Sequence, residues 1–161
     1  MVNRGFGGSM IADSTNHAEQ LVVPYRPRLV VLYAGDNDIE GGHSPQQVLA
    51  DFQAFVARVR RDLPKTAIAF VSIKPTIARE ALWPAMRAAN AAVAQWAATQ
   101  ADIVYVDVAT AMLGADGKPR AELLRDDHLH MMAAGYAIWT ERLRPVLARY
   151  GFKVTGGETA H

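Results

Sequence analysis

Asp127 and His130 stand three residues apart in the run Arg125-Asp126-Asp127-His128-Leu129-His130. A carboxylate at that spacing reaches an imidazole within one turn of chain. It can then fix the tautomer and favour the imidazolium, as the acid does in a hydrolase triad. Two other readings fit the same residues. Acidic residues favour a helix start, with a His bonded to backbone. Asp126, Asp127, His128 and His130 also offer metal-ligand types. Against that, a His-x-His pair in a helix spreads its rings apart, and no other ligand cluster stands out in the sequence.

Two further stretches carry polar groups that chemistry can use. In Leu29 to Ile39 a short apolar run meets Gly35 and then Asp36, Asn37 and Asp38. Such a run reads as a strand buried on both faces. The polar cluster then lies past its carboxyl end, where open α/β sheets bind ligands. Asn37 offers a neutral amide donor there; an ordinary strand-to-loop turn has the same composition. Gly5-Phe6-Gly7-Gly8-Ser9 is a Gly-rich turn without the Lys and spacing of a P-loop. It suits a backbone donor site for an oxyanion better than a nucleotide site.

Composition removes several function classes. The chain has 161 residues, half of them apolar and 20% charged, with a net charge of +1. That is ordinary globular composition, with no charge surplus for nucleic acid or an anionic membrane. There is no cysteine, so thiolate zinc sites and a Cys nucleophile are excluded. The sequence has no apolar run of membrane-spanning length and no basic-then-apolar leader.

The elements that must position these groups follow from periodicity. Leu29 onward, Ala67 to Ile73 and Ile103 to Val108 read as buried strands. Met10 to Val23 has one apolar helical face. Ser44 and Pro45 start a second helix, with Val48, Phe52, Phe55, Val56 and Val59 at helical spacing. Arg79 to Gln100 is Ala-rich with a Leu82, Met86, Ala89, Val93, Trp96 stripe, regular from near Pro84. Met131 to Tyr150 gives a last helix, closed by Gly151. Strands alternating with helices predict parallel βαβ units and an α/β sandwich. One domain is expected over residues 1–154, with 155–161 as a frayed tail.

In order and spacing, three of these stretches resemble the SGNH (GDSL) hydrolases. They are Asn3 to Gly8, Tyr33 to Asp38, and Asp127 to His130 followed by Ala134-Gly135-Tyr136. They are similar to blocks two, three and five of that superfamily. The resemblance implies a flavodoxin-like α/β/α sandwich with a mostly parallel sheet, and metal-free, cofactor-free cleavage of small acyl esters. It implies His130 as general base, Asp127 as its orienting acid, and the Gly8 N–H and Asn37 amide as oxyanion-hole donors. Ser9, Asp36, Asp38 and His128 become site neighbours.

The departure from the family lies in its first block, Gly-Asp-Ser with the nucleophilic Ser, which does not precede Asn3 here. The strand that carries it is expected to be lacking as well. The sequence contains Ser9, Ser14, Ser44 and Ser72. Ser9 follows the oxyanion Gly and is the nearest substitute, although it also reads as an N-cap for the helix near Met10. A water activated by His130 is the other nucleophile, and a non-catalytic binding module the alternative function. A lost strand and helix would bare apolar area, so a homodimer is expected.

Overall fold

A computed structural model describes residues 1–153; the expected tail at 155–161 lies outside the described residues. The element order is α1 (Ile11–Asn16), α2 (Ala18–Leu21), β1 (Leu29–Leu32), α3 (Asp36–Glu40), α4 (Pro45–Asp62), β2 (Ala67–Val71), α5 (Trp83–Ala97), β3 (Ile103–Val106) and α6 (Ala133–Arg149).

The sheet is parallel, in the order β1-β2-β3. Leu29 pairs with Ala67, and Ile68 with Ile103. All five residues of the central strand β2 are buried, as a strand covered on both faces requires. Its alternation sorts side chains by size. Ile68 and Phe70 face α1, α4 and α5 in a core with Phe52, Phe55, Val59, Met86 and Val93. Ala67, Ala69 and Val71 face α6, against Trp139, Leu143, Val146 and Leu147. The result is a three-layer α/β/α sandwich. Phe52 packs at a tilt on Phe70, ring centroids 4.8 Å apart, and meets Trp96 edge-on at 5.6 Å, which ties α4, α5 and β2 together.

The expected strands and the three longer helices are present. Ser44 caps α4 as its sequence suggests, accepting the Gln47 N–H at 3.2 Å, with Pro45 in the first turn. Three local expectations change. Met10 to Val23 is not one helix: it breaks at His17, whose ring nitrogen meets the Asp13 carbonyl at 2.9 Å. Ser9 does not cap α1 either. Met10 holds the cap position, and Asp13 accepts the Met10 N–H at 2.8 Å. The stretch after Gly35 is a short helix rather than a turn, because Gly35 adopts φ +113° and lets Asp36 start α3. A Cβ on Gly35 would lie 2.8 Å from Ile73 Cδ1, so the backbone packs directly on the end of β2.

Candidate functional site

The loop between Leu124 and Met131 is closed at its base. These two residues form an antiparallel bridge, and Arg125 N–H donates to the His130 carbonyl at 2.7 Å. Below it, Met112, Leu123, Leu124 and Met131 form a small buried cluster that anchors the loop. Asp127 organises its tip. One carboxylate oxygen accepts the Leu129 and His130 N–H groups, each at 2.9 Å. The other lies 2.7 Å from His130 Nδ1. The backbone N–H groups of His130 and Leu129, then the ring, hold the Asp127 carboxyl well below the usual carboxylate range. Asp127 therefore stays ionised at neutral pH and fixes the ring through Nδ1. The His130 side chain is 66% exposed, which leaves the ring reachable from solvent.

The Gly8 turn meets α3 through Asn37. Asn37 Nδ2 donates to the Ser9 carbonyl at 3.1 Å, and Oδ1 accepts from Arg79 Nη2 at 2.9 Å. The Arg79 contact sets which end of the amide is nitrogen, because a guanidinium only donates. The second Asn37 N–H makes no hydrogen bond among the described residues. Gly8 has φ +74°, and its N–H makes no hydrogen bond among the described residues. Ser9 Oγ donates to the Phe6 carbonyl at 3.0 Å, inside its own turn.

Residues 78 and 79 join the two halves. Arg79 grips Asn37, while the Ala78 N–H donates to the His128 carbonyl at 3.1 Å. The loop after β2 thus touches both the Asn37 side and the Asp127–His130 loop. Asn90, buried on α5, holds the start of that loop by donating to Ile73 O at 2.9 Å and accepting Ile73 N–H at 2.8 Å.

The remaining predicted neighbours have distinct surroundings. Asp36 Oδ2 accepts from Tyr33 OH at 2.9 Å and Lys74 Nζ at 3.2 Å, with Arg79 Nη1 at 3.4 Å. Burial alone would raise the Asp36 carboxyl, but the Lys74 charge and the Tyr33 hydrogen bond outweigh it and lower it. Asp36 is thus the anion that holds Lys74 and Arg79 in place. Asp38 is fully buried and accepts the Ile11 N–H at 3.1 Å. His128 sits at φ +56° at the loop tip. Asp36, Asp38, His128 and His130 do not gather into one ligand cluster; among the described residues that geometry belongs to Asp38, His43 and Asp51. Ser72 is excluded as a nucleophile, because its buried hydroxyl accepts the Val108 and Ala109 N–H groups, each at 3.0 Å.

Arg79 and Asn90 were not singled out by sequence reasoning. Asn90 had a signal, being a lone amide on an apolar helical stripe. Arg79 had only its place soon after a strand's carboxyl end.

The family model of the GDSL-like lipase/acylhydrolase family matches residues 1–138. The chain belongs to this family. Its activity class is therefore hydrolysis of acyl esters. Solved structures of the same fold include a carbohydrate esterase family 3 protein from Talaromyces cellulolyticus, 22% identical with TM-score 0.76 over 90% of this chain and 69% of that one. A GDSL-like lipase from Bacteroides thetaiotaomicron is 18% identical, with TM-score 0.78 over 92% of this chain and 75% of that one. A catalytic mutant of an acetylxylan esterase from Geobacillus stearothermophilus is 19% identical, with TM-score 0.73 over 98% and 74%. No curated protein matches the chain.

Proposed function

We propose that this GDSL-family chain hydrolyses short-chain carboxylic esters without a metal, using His130 and Asp127 as a general-base dyad and a water molecule as nucleophile. The acyl oxygen would lie toward the Gly8 N–H and the second Asn37 N–H. His130 Nε2 takes a proton from water as the water oxygen bonds the acyl carbon, and the carbonyl electron pair moves onto the oxyanion. The tetrahedral intermediate then collapses. The acyl C–O bond breaks, the imidazolium returns its proton to the leaving alkoxide, and acid and alcohol depart.

The observation that carries this reading is the 2.7 Å contact between His130 Nδ1 and Asp127, with the ring reachable from solvent. Water is favoured over Ser9 because the Ser9 hydroxyl is engaged by Phe6 O and makes no hydrogen bond with His130 among the described residues. Triads that lack a member keep about 10³–10⁴-fold catalysis over water. That level suits activated acetates. Acetyl-sugar esters are the natural candidates, because two of the structural neighbours above are described as carbohydrate or acetylxylan esterases.

The nucleophile is tested by incubating the protein with p-nitrophenyl acetate and measuring both turnover and intact mass. Turnover without an acetyl adduct, retained within about twofold in Ser9→Ala, is the expected result. An acetyl adduct on Ser9, with turnover lost in Ser9→Ala, would assign the reaction to that hydroxyl. No turnover above a heat-treated control would leave the binding-module reading.

Self-association belongs to the same reading. It is supported by the large apolar side chains left exposed, Val31 at 42% on β1 and Tyr136 at 52% on α6.

A further inference from the structure

We propose that Asp38, His43 and Asp51 form a zinc site that fastens α3 and the loop after it to α4, apart from the Asp127–His130 dyad. One ligand atom from each residue lies within 4.8 Å of the others. Asp38 has no solvent exposure, and its Oδ2 has no hydrogen-bond partner among the described residues. A buried carboxylate oxygen left without a partner is costly, so it calls for a cation or a proton. His43 Nδ1 is likewise buried without a hydrogen bond, although it lies 3.3 Å from Asp51 Oδ2. Two ligands on tetrahedral zinc, each about 2.1 Å from the metal, stand about 3.4 Å apart. The His43–Asp51 spacing is that of two ligands sharing one metal.

The chain prepares the three ligands independently. Gly42, at φ +93°, turns the chain back after α3, and the His43 N–H donates to the Asp38 carbonyl at 2.9 Å. Asp51 comes from the second turn of α4. The other Asp38 oxygen accepts the Ile11 N–H, the outer-sphere bond that fixes a ligating carboxylate. Two carboxylates and a neutral imidazole balance a divalent charge. The imidazole selects zinc over calcium and magnesium, which take oxygen ligands. His43 and Asp51 are 33% and 31% exposed, so an ion has a path in and water a fourth position. Through Ile11 the metal would brace the start of α1, which follows Gly8 and Ser9. Its role is structural, and the proposal stands whether or not the chain is an esterase.

The test uses chelator-stripped protein and zinc chloride, with calcium and magnesium chloride as separate arms. The expected result is one zinc per chain in competition with a chromophoric chelator. The Tm should rise by roughly 5–10 °C at about a hundredfold excess over Kd. His43→Gln and Asp51→Asn, at part-exposed positions, should each weaken binding at least about tenfold while melting cooperatively without metal. A His128→Gln/His130→Gln double variant should bind zinc as the parent does. The proposal is overturned by no zinc-dependent shift, by a shift that calcium or magnesium reproduces, by binding that survives both site variants, or by binding lost in the double variant.

Discussion

Asp127 does three jobs with two oxygens: it closes a loop on two backbone N–H groups, orients a ring, and stays charged because of both. The spacing of Asp127 and His130 was readable because this geometry is local, spanning one turn of chain. Asn37 was readable only as a donor type. That its amide is aimed by Arg79 depends on a contact between residues 42 positions apart, which no local pattern encodes. The role of Arg79 as a positioning residue is open to a direct check. Arg79→Lys keeps a charge but cannot reproduce the planar fork that spans Asn37, Glu40 and Asp36. Loss of one charge-assisted hydrogen bond to the amide is worth about 1.5 kcal/mol. Steady-state kinetics on p-nitrophenyl acetate should show kcat down roughly tenfold with KM little changed. Unchanged kcat, or a change in KM alone, would remove Arg79 from the account.

At the level of elements, the site is built on strand ends. β1 delivers Asp36 and Asn37 through Gly35; β2 delivers Lys74 and Arg79 through a loop pinned by Asn90. The strands and long helices were legible because burial on two faces leaves continuous apolar runs, and burial on one leaves a stripe. The break at His17 and the short helix α3 were not, since each is decided by a single side chain or a single positive φ. Asn90 gives the element-scale prediction. Asn90→Leu keeps the volume and the apolar stripe but leaves the buried Ile73 N–H and carbonyl unpaired. Two such groups cost about 2–4 kcal/mol together. Urea unfolding should show the midpoint fall with little change in slope, and esterase rate should fall with it as the loop to Arg79 loosens. An unfolding free energy within about 0.5 kcal/mol of the parent would mean that Asn90 does not hold the loop.

For the whole molecule, the α/β/α sandwich and the family agree with the sequence reading, because βαβ alternation restricts topology strongly. Assembly is where sequence had least to offer, since surface exposure is a property of the folded chain. β1 ends the sheet on one side among the described residues, and Val31 on it is 42% exposed. An open apolar edge invites pairing unless a charge blocks it. Size-exclusion chromatography with light scattering at micromolar concentration should give a dimer for the parent and a monomer for Val31→Lys. A monomeric parent would contradict the expected self-association without touching the dyad.

The central claim is that His130, held by Asp127, supplies the base for ester cleavage. The most direct measurement is the rate of p-nitrophenyl acetate hydrolysis by the parent and by His130→Ala, with the variant's fold verified by its melting curve. General-base assistance is worth about 10²–10⁴-fold. The account predicts a loss of at least about a hundredfold in a folded variant. A folded His130→Ala protein that hydrolyses the ester as fast as the parent would contradict it.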